Sequence, residues 1–411
     1  MRAEILGIGT EILLGQIANS NAQWISQRLA EIGVDVLHHQ AVGDNVDRIA
    51  EAFRVALDRA DVVVATGGLG PTGDDITRQG LAQVLGLRLE RRPEIEEYLR
   101  EKFRRMNRDM PQSNLVQADV PEGARYILPQ RGTAPGLVVE SEGRRVYAIP
   151  GVPAEMREMM EGSILPELRA AAGPSTLVSR VLRVTGIAEA KVGEVLEDVF
   201  TSSTNPTLAY LASAGEVRLR LSAKAPSRGE AEALIEPVER TIRERLGGAV
   251  FGAGEDELEA VVGRLLAERK LHVACAESLT GGGLAARITS VPSASRYFAG
   301  SAVTYSPDAK RAVLGVSEET LAEHGTVSEV CAREMARGAR TAFGADVAVS
   351  TTGVAGPEPL EGHEPGTVWV ALAADGTEEA RTFRAPGDRE QVRRWAEQAA
   401  LDLLRKHLLA L

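Results

Sequence analysis

The sequence predicts an α/β protein, with two doubly wound α/β domains joined by a small α+β middle domain. Three observations predict it. Short buried-looking runs such as Asp61-Val62-Val63-Val64-Ala65-Thr66 and His272-Val273-Ala274-Cys275-Ala276 alternate with stretches of helical periodicity, the pattern of parallel strands covered on both faces. Two of these strands run directly into glycine-rich turns that open helices, at Gly67 to Thr77 and at Glu277 to Gly283, an arrangement that exposes backbone N–H groups at a sheet edge. Between them lies a segment with a different rhythm of strand, helix, two strands and helix. The domain boundaries expected from this are 1–172, 173–252 and 253–411.

Composition bounds the function. A chain of 411 residues with 44% hydrophobic residues has enough material for several real cores. The formal net charge is −11 and the acidity is spread out, with no basic block. Nucleic-acid binding through a basic face is therefore not expected. Cys275 and Cys331 are the only cysteines, which argues for a reducing compartment and against a disulfide scaffold; Cys275 reads as a small core residue. No apolar run approaches the roughly 20 residues of a membrane helix. Met1 to Leu6 is already strand-like and is read as no signal peptide. A cytoplasmic protein without membrane association is expected.

In the first domain, Ile5 to Gly9 reads as a strand. Asn19-Ser20-Asn21 precedes a helix carried by Trp24, Ile25, Leu29 and Ile32 and stopped by Gly33. Val34 to Val42 is a second strand, and Ile49, Ala52, Phe53 and Ala56 space the helix Val46 to Leu57. The third strand ends in Gly67-Gly68-Leu69-Gly70-Pro71-Thr72-Gly73-Asp74-Asp75. Its glycines permit close backbone approach to a ligand, and the helix Gln79 to Leu85 after it is expected to turn its N-terminus to the same crevice, favouring an anion. Two carboxylates, Asp74 and Asp75, repel a phosphate unless a divalent cation lies between. Two readings stay open here: a metal–phosphate site, or one aspartate as a helix cap and the other solvated. The turns Gly132 to Gly136 and Ile149 to Met156 read as further lining of this crevice, with Pro153 in a first helical turn.

In the middle segment Gly173-Pro174-Ser175 reads as a hinge. Strands Leu177 to Thr185, Thr207 to Leu211 and Val217 to Ala223 accompany helices Ala188 to Val199 and Glu230 to Leu246. The second helix is expected to bury Ala233, Leu234, Val238, Ile242 and Leu246, and Gly247-Gly248 ends it. The segment is read as a spacer or oligomerisation module, with a homodimer as the expected assembly.

In the last domain an amphipathic helix, Leu258 to Leu266, leads into the short buried strand that begins at His272. Ser278 sits at the next bend, and a helix spans Leu284 to Ile288. Phe298 to Tyr305 is a strand, and Ser306-Pro307-Asp308-Ala309-Lys310 opens another helix. Helix Glu329 to Phe343, strands Val347 to Thr351, Gly366 to Ala373 and Ala380 to Arg384, and helix Arg389 to Leu409 complete the layer. The candidate chemistry is Ser278 with Tyr305 and Lys310. A serine hydroxyl needs a base, and the scattered histidines offer none. A lysine serves if burial lowers its pKa; Tyr305 would bridge the two or relay a proton, and N–H groups around Thr280, Gly281 and Gly282 would hold an oxyanion. The competing reading makes Ser278 or Thr280 a helix cap, Tyr305 a strand-end aromatic and Lys310 a solvated helix residue.

The ordered motifs Gly-Thr-Glu-Ile-Leu-Leu-Gly, Asn-Ser-Asn, Val42-Gly43-Asp44-Asn45, Gly-Gly-Leu-Gly-Pro-Thr-Gly-Asp-Asp and Ile-Pro-Gly-Val-Pro resemble the molybdopterin-binding-like domain of the CinA (competence/damage-inducible protein A) family. Ala-Glu-Ser-Leu-Thr-Gly-Gly, Gly-Ser-Ala-Val-Thr-Tyr-Ser-x-x-Ala-Lys, Thr-Gly-Val-Ala-Gly-Pro and Gly-Thr-Val-Trp-Val resemble that family's C-terminal domain, a nicotinamide mononucleotide deamidase. The resemblance implies two activities. The first is a divalent-metal-dependent (Mg2+ or similar) ADP-ribose pyrophosphatase, with Asp74, Asp75 and Glu11 at the metal and Gly67, Gly68, Gly70 and Asn21 at the substrate. The second is hydrolysis of the amide of nicotinamide mononucleotide, giving nicotinic acid mononucleotide and ammonia without a cofactor. Ser278 is then the nucleophile, Tyr305 and Lys310 its activating partners, and Gly353, Ala355 and Gly356 the substrate loop beside Thr280, Gly281 and Gly282. The implied middle domain is KH-like, but the Gly-x-x-Gly loop that grips nucleotides in KH domains is absent, Gly186-Ile187-Ala188-Glu189 having the wrong fourth residue. Two departures stand out. Pro307 replaces a usual Asn, and Glu358 to Pro365 replaces a glycine-rich stretch ending in Lys-Pro, which weakens the pull on a phosphorylated substrate. Arg389 and Arg393 are the replacements considered. The alternative to an enzyme is a non-catalytic pterin- or nucleotide-binding protein whose Ser278 only caps a helix.

Overall fold

The computed structural model describes every residue except Pro174 and Ala214; the proline of the expected 173–175 hinge thus lies outside the described residues. The chain falls into two compact units: residues 1–178 with 224–232, and residues 179–223 with 233–411. Among the described residues no helix is long and apolar enough to cross a membrane.

The first unit is built on a six-stranded sheet in the order Asp35–Val42, Arg2–Ile8, Val62–Thr66, Arg144–Ile149, Gly136–Ser141, Arg125–Ile127. The first four strands are parallel and the last two antiparallel. Side chains alternate between faces, as the two-residue period of a strand requires. Leu6, Ile8, Val63 and Ala65 pack against Ile49, Phe53 and Leu81 on one face. Ile5, Val62 and Val64 pack against Ile25, Leu29, Met156 and Leu168 on the other. The helix expected from Trp24 to Ile32 spans Ser20–Glu31, is capped by the Asn19 side chain and ends at Gly33 with φ +73°. Residues 89–127, for which no elements are assigned from sequence, form the strand pair Leu89–Arg91 and Asp119–Pro121, the helix Pro93–Arg105, a 3-10 segment and the edge strand Arg125–Ile127.

The second unit contains two sheets. The smaller has the order Thr207–Ser213, Glu216–Ala225, Thr176–Thr185, Val250–Ala253. Its two helical regions correct the expectation. Ala188 to Val199 is not one helix: Glu189–Val195 and Glu197–Ser202 are separated by Leu196, which leaves helical dihedrals (φ −111°, ψ 14°) and is buried. The long helix Arg228–Leu246 buries Ala231, Ile235, Ile242 and Leu246 and leaves Ala233 and Leu234 exposed. A 3.6-residue period runs through 231, 235, 242 and 246; position 234 lies about 100° off that line.

The larger sheet has the order Phe298–Val303, Val273–Glu277, Val347–Gly353, Thr367–Ala374, Thr377–Arg384. Its first three strands are parallel, the last two antiparallel. One face carries Val273, Cys275, Val349 and Val370 against helices Leu258–Arg269, Gly283–Ser290 and Arg389–Ala410. The other face is lined by small residues. Ala274, Ala276 and Ala348 meet Cys331, Met335 and Ala339, and Ala371 and Ala373 meet Ala332 and Ala336. Small side chains let the helix Glu329–Ala342 lie close to the sheet. Both cysteines are free and buried.

Candidate active sites

In each unit the expected site residues collect beyond the carboxyl ends of parallel strands, where open α/β sheets bind ligands. In the second unit the register explains the meeting. Glu277 is level with Val303 on one neighbour and Thr351 on the other. The residues one step past these three positions, Ser278, Thr304 and Thr352, therefore share one edge of the sheet.

Ser278 is nearly buried, and its N–H donates to the Thr351 carbonyl at 3.0 Å. Its Oγ is 2.8 Å from Lys310 Nζ. Lys310 is 1% exposed because the helix Pro307–Leu314, capped by the Ser306 side chain, turns back under the strand ends. Its amine also donates to the Thr304 carbonyl at 2.8 Å and has no carboxylate partner among the described residues. Burial pushes the Lys310 ammonium below the usual lysine range, against the opposing pull of the Cys331 thiol and Glu361.

Ser278 does not cap a helix. The helix Gly283–Ser290 has Gly282 as its N-cap, in the left-handed region at φ 97°, without a side-chain cap. Its first turn is satisfied by Glu277, to which the sequence assigns no role. This fully buried carboxylate accepts from Thr280 Oγ1 (2.8 Å), the N–H groups of Gly282 (2.9 Å), Leu284 (3.0 Å) and Ala285 (2.9 Å), and Ser301 Oγ (3.0 Å). A carboxylate there satisfies orphan N–H groups and suits the helix dipole. The signal that could have found it is an acid closing an otherwise apolar strand.

A cavity of about 280 Å³ lies over the pair, walled by Ser278, Leu279, Tyr305, residues 352–360 and Arg389. Gly353, Ala355 and Gly356 line it as expected. Thr280, Gly281 and Gly282 do not. Thr280 is buried against Glu277 and Thr351, Gly281 N–H donates to the Ser278 carbonyl and Gly282 N–H to Glu277. The expected oxyanion donors therefore shift: Gly281 and Gly282 are committed, whereas the N–H groups of Leu279 and Thr280 donate to no group among the described residues. Tyr305 does not bridge Ser278 and Lys310. It stands exposed at the rim, where its hydroxyl accepts from Arg389 at 2.6 Å. Arg389 also donates to the Gly356 carbonyl (2.8 Å), so the replacement charge considered from sequence does reach the cavity. Arg393 instead holds the Thr280 carbonyl at 2.6 Å. In the divergent loop, Glu361 is bound to the Thr326 N–H, the Thr326 hydroxyl and the Val327 N–H; it closes the loop rather than facing a substrate as a free charge. Pro307 occupies the first helical turn.

In the first unit a cavity of about 330 Å³ is lined at or just beyond the ends of the four parallel strands, by Ile8, Asp44, Thr66 and Gly151 among others. Glu11, Asn21, Gly67, Gly68, Asp74 and Asp75 line it as expected, joined by Asp44. Gly67 (φ +112°) admits no side chain, since a Cβ would stand 2.0 Å from the Ile8 carbonyl oxygen. Gly70 lies behind the loop, packed on the Asp75 carboxylate, which also accepts from the Thr72 N–H at 2.9 Å. The helix Thr77–Leu85 does not open into the cavity. Thr77 is buried, its N–H on the Gly68 carbonyl and its hydroxyl on the Gly67 carbonyl. Buried Arg78 grips the loop from behind through the Leu69 carbonyl at 2.7 Å, another residue missed from sequence. The Gly132 to Gly136 turn is also elsewhere, packed on Glu155 and Met159; the Gly151 to Pro153 turn does line the cavity. Asn21 Nδ2 donates to the Gly151 carbonyl at 2.7 Å, while its buried Oδ1 has no partner among the described residues.

The lining includes four carboxylates and no lysine or arginine. No three Asp, Glu, His or Cys side chains among the described residues converge as a ready-made metal cage. The donor set fits an ion such as Mg2+, which takes one or two carboxylates, keeps waters and is completed by substrate phosphate.

Three family models match the chain. Residues 4–170 match the model of a probable molybdopterin binding domain, residues 179–252 that of the damage-inducible protein CinA KH domain, and residues 255–408 that of the CinA C-terminal domain. A CinA-like protein of Frankia casuarinae is 48% identical, over 100% of this chain and 97% of its own. A putative competence-damage inducible protein of Symbiobacterium thermophilum is 46% identical, over 100% and 99%. Among solved structures, the protein CinA with unknown function from Thermoplasma acidophilum is 37% identical over 39% of this chain and 94% of its own, with a TM-score of 0.38. With full-length identity of this order, the chain belongs to the CinA family.

Proposed function

We propose that the second unit hydrolyses the amide of nicotinamide mononucleotide through Ser278. The observation that carries the reading is the 2.8 Å contact between Ser278 Oγ and a buried lysine amine that has no carboxylate partner among the described residues. The choice of substrate rests on the family resemblance. Lys310 takes the hydroxyl proton as Ser278 Oγ attacks the amide carbon. The N–H groups of Leu279 and Thr280 stabilise the oxyanion. Lys310 returns the proton to the departing nitrogen, ammonia leaves, and water then cleaves the acyl-enzyme by the same proton exchange. Arg389 supplies the positive charge for the substrate phosphate. No step calls for a metal. Ammonia release from nicotinamide mononucleotide should persist in chelator and fall by at least about a thousandfold in Ser278→Ala. Normal turnover in that variant would remove Ser278 as nucleophile.

Arg389→Ala is expected to raise KM for nicotinamide mononucleotide about tenfold with little change in kcat, since a phosphate contact made equally in ground and transition states is uniform binding. The same variant should leave KM for nicotinamide riboside, which lacks the phosphate, near the wild-type value. Equal losses on both substrates would assign Arg389 to shaping the Gly356 loop instead.

For the first unit we propose cleavage of a nucleotide pyrophosphate, ADP-ribose by the resemblance. The four carboxylates without a basic residue support a reading in which the anion enters with a divalent cation. When bound, such an ion polarises a phosphoryl oxygen and helps to position water. Asp74 and Asp75, with Glu11, would hold it, and Asn21 Oδ1, without a partner among the described residues, offers an acceptor to the substrate. ADP-ribose cleavage should stop in chelator and in Asp74→Ala/Asp75→Ala; unchanged cleavage in the double variant would place the metal elsewhere.

A further inference from the structure

The second unit contains another cavity, larger than the one at Ser278. It measures about 400 Å³ and lies between the end of strand Thr176–Thr185 and the closing helix Arg389–Ala410. Its position is set by two glycines at positive φ. A Cβ on Gly215 (φ +79°) would come 2.8 Å from Gln398 Cγ and 3.3 Å from a Trp395 ring carbon; one on Gly186 (φ +74°) would come 2.4 Å from an Asp402 carboxylate oxygen. Bare backbone thus lies against one face of the helix, and Gln398 Nε2 fastens it by donating to Thr185 Oγ1 at 3.1 Å.

The walls combine aromatic surface with one uncompensated charge. Phe383 and Trp395 supply the rings. Arg381 is engaged by Glu379 at 2.6 Å. Asp402 is neutralised by Arg405 at 2.6 Å and Lys406 at 2.7 Å. Arg384 also lines the cavity and has no ion-pair partner among the described residues. The volume falls within the range of small-molecule sites, which favour boundaries between structural segments and apolar walls with few polar groups. Aromatic faces accept planar rings by stacking, and a guanidinium accepts an anion. The lining holds no serine, cysteine or histidine, which points to binding rather than covalent chemistry.

We propose that this cavity is a second ligand site for a planar heteroaromatic anion of mononucleotide size, its ring taken by Trp395 and Phe383 and its negative group by Arg384. The site shares no residue with the Ser278 cavity, so the inference stands whether or not the amidase reading does.

Equilibrium dialysis of the full chain against radiolabelled adenosine 5′-monophosphate, in chelator, tests it. Saturable binding is expected, weakened at least tenfold by Arg384→Glu and lost in Ala399→Phe, which fills the cavity. Arg389→Ala, at the other cavity, should leave it unchanged. Unlabelled adenosine should compete at least tenfold more weakly than the monophosphate. The proposal is overturned by absence of saturable binding at millimolar concentration, by wild-type affinity in Arg384→Glu, or by equal competition from adenosine. Arg384 is exposed, so its reversal tests the site even if Ala399→Phe fails to fold.

Discussion

Replacing Lys310 by methionine is expected to lower amide hydrolysis by about a thousandfold or more while leaving the melting midpoint unchanged or raised. General-base assistance contributes about 10²- to 10⁴-fold, and among the described residues no second base faces Ser278 Oγ, whose side-chain partner is the Lys310 amine. The stability side comes from the sign of the pKa shift. Burial favours the neutral amine in the folded chain, whereas the unfolded chain prefers the ammonium. Lys310 therefore costs stability in full below its folded pKa, and the cost fades as pH rises toward the unfolded value of about 10.4. A methionine of similar length carries no such cost. Activity has the matching pH dependence: kcat/KM rises with pH as Lys310 loses its proton, on a limb below the ordinary lysine range. Lys310→Arg should be as inactive as methionine, because a guanidinium stays protonated. Thermal melts and pH–rate profiles decide the matter. A large drop in melting midpoint in Lys310→Met would make the lysine a packing element, and a rate limb unchanged in that variant would assign the base elsewhere.

The parts of this fold that depend on local pattern were readable from sequence. Val62–Thr66 and Val273–Glu277 are short and almost wholly apolar because each is a parallel strand covered on both faces, and such strands announce themselves. The meeting of Ser278 with Lys310, 32 positions later, is a consequence of strand order: once the strands ending at Glu277 and Val303 are neighbours, the residues after each must share an edge. Contacts that depend on tertiary packing were not readable. Nothing local tells Tyr305 to accept from Arg389, 84 positions on, rather than bridge toward Lys310. The same holds for Arg78, to which the sequence assigns no role and which is buried under the Leu69 carbonyl. The seam of helix Arg228–Leu246 was misread because Leu234 and Ile235 are adjacent, and only packing decides which of the two faces inward. Glu277 was missed for a different reason. Its partners are mostly backbone N–H groups, and backbone donors carry no residue identity in a sequence.

Glu277→Ala is expected to lose both stability and turnover, and to lose them together. The carboxylate accepts five hydrogen bonds in a place with no exposure. Alanine leaves the N–H groups of Gly282, Leu284 and Ala285 without an acceptor at the start of helix Gly283–Ser290. Each buried donor left unsatisfied costs about 1–3 kcal/mol, so a loss on the order of 3 kcal/mol or more is expected in denaturant unfolding. The turn they anchor begins at Ser278 and carries the free N–H groups of Leu279 and Thr280. Loosening it misaligns nucleophile and oxyanion donors by amounts that matter for rate, since small displacements of reacting groups cost about a hundredfold. The expected kinetic signature is therefore a fall in kcat of about that size with a smaller change in KM, because the cavity walls at 352–360 and Arg389 are untouched. Glu277→Gln separates charge from shape. A glutamine oxygen placed at the Oε2 position keeps the bonds from Thr280, Gly282 and Leu284. Its amide then points donor hydrogens at the Ala285 N–H, which aims at Oε1 in the native turn, while Ser301 can rotate its hydroxyl to accept. The order of stability and of kcat should accordingly be wild type, then Gln, then Ala, and amide hydrogen exchange at residues 282–285 should quicken in the same order. Wild-type exchange at these amides in Glu277→Ala would show that the turn holds itself without the carboxylate. Quickened exchange with unchanged kcat would separate the rigidity of this turn from the chemistry at Ser278.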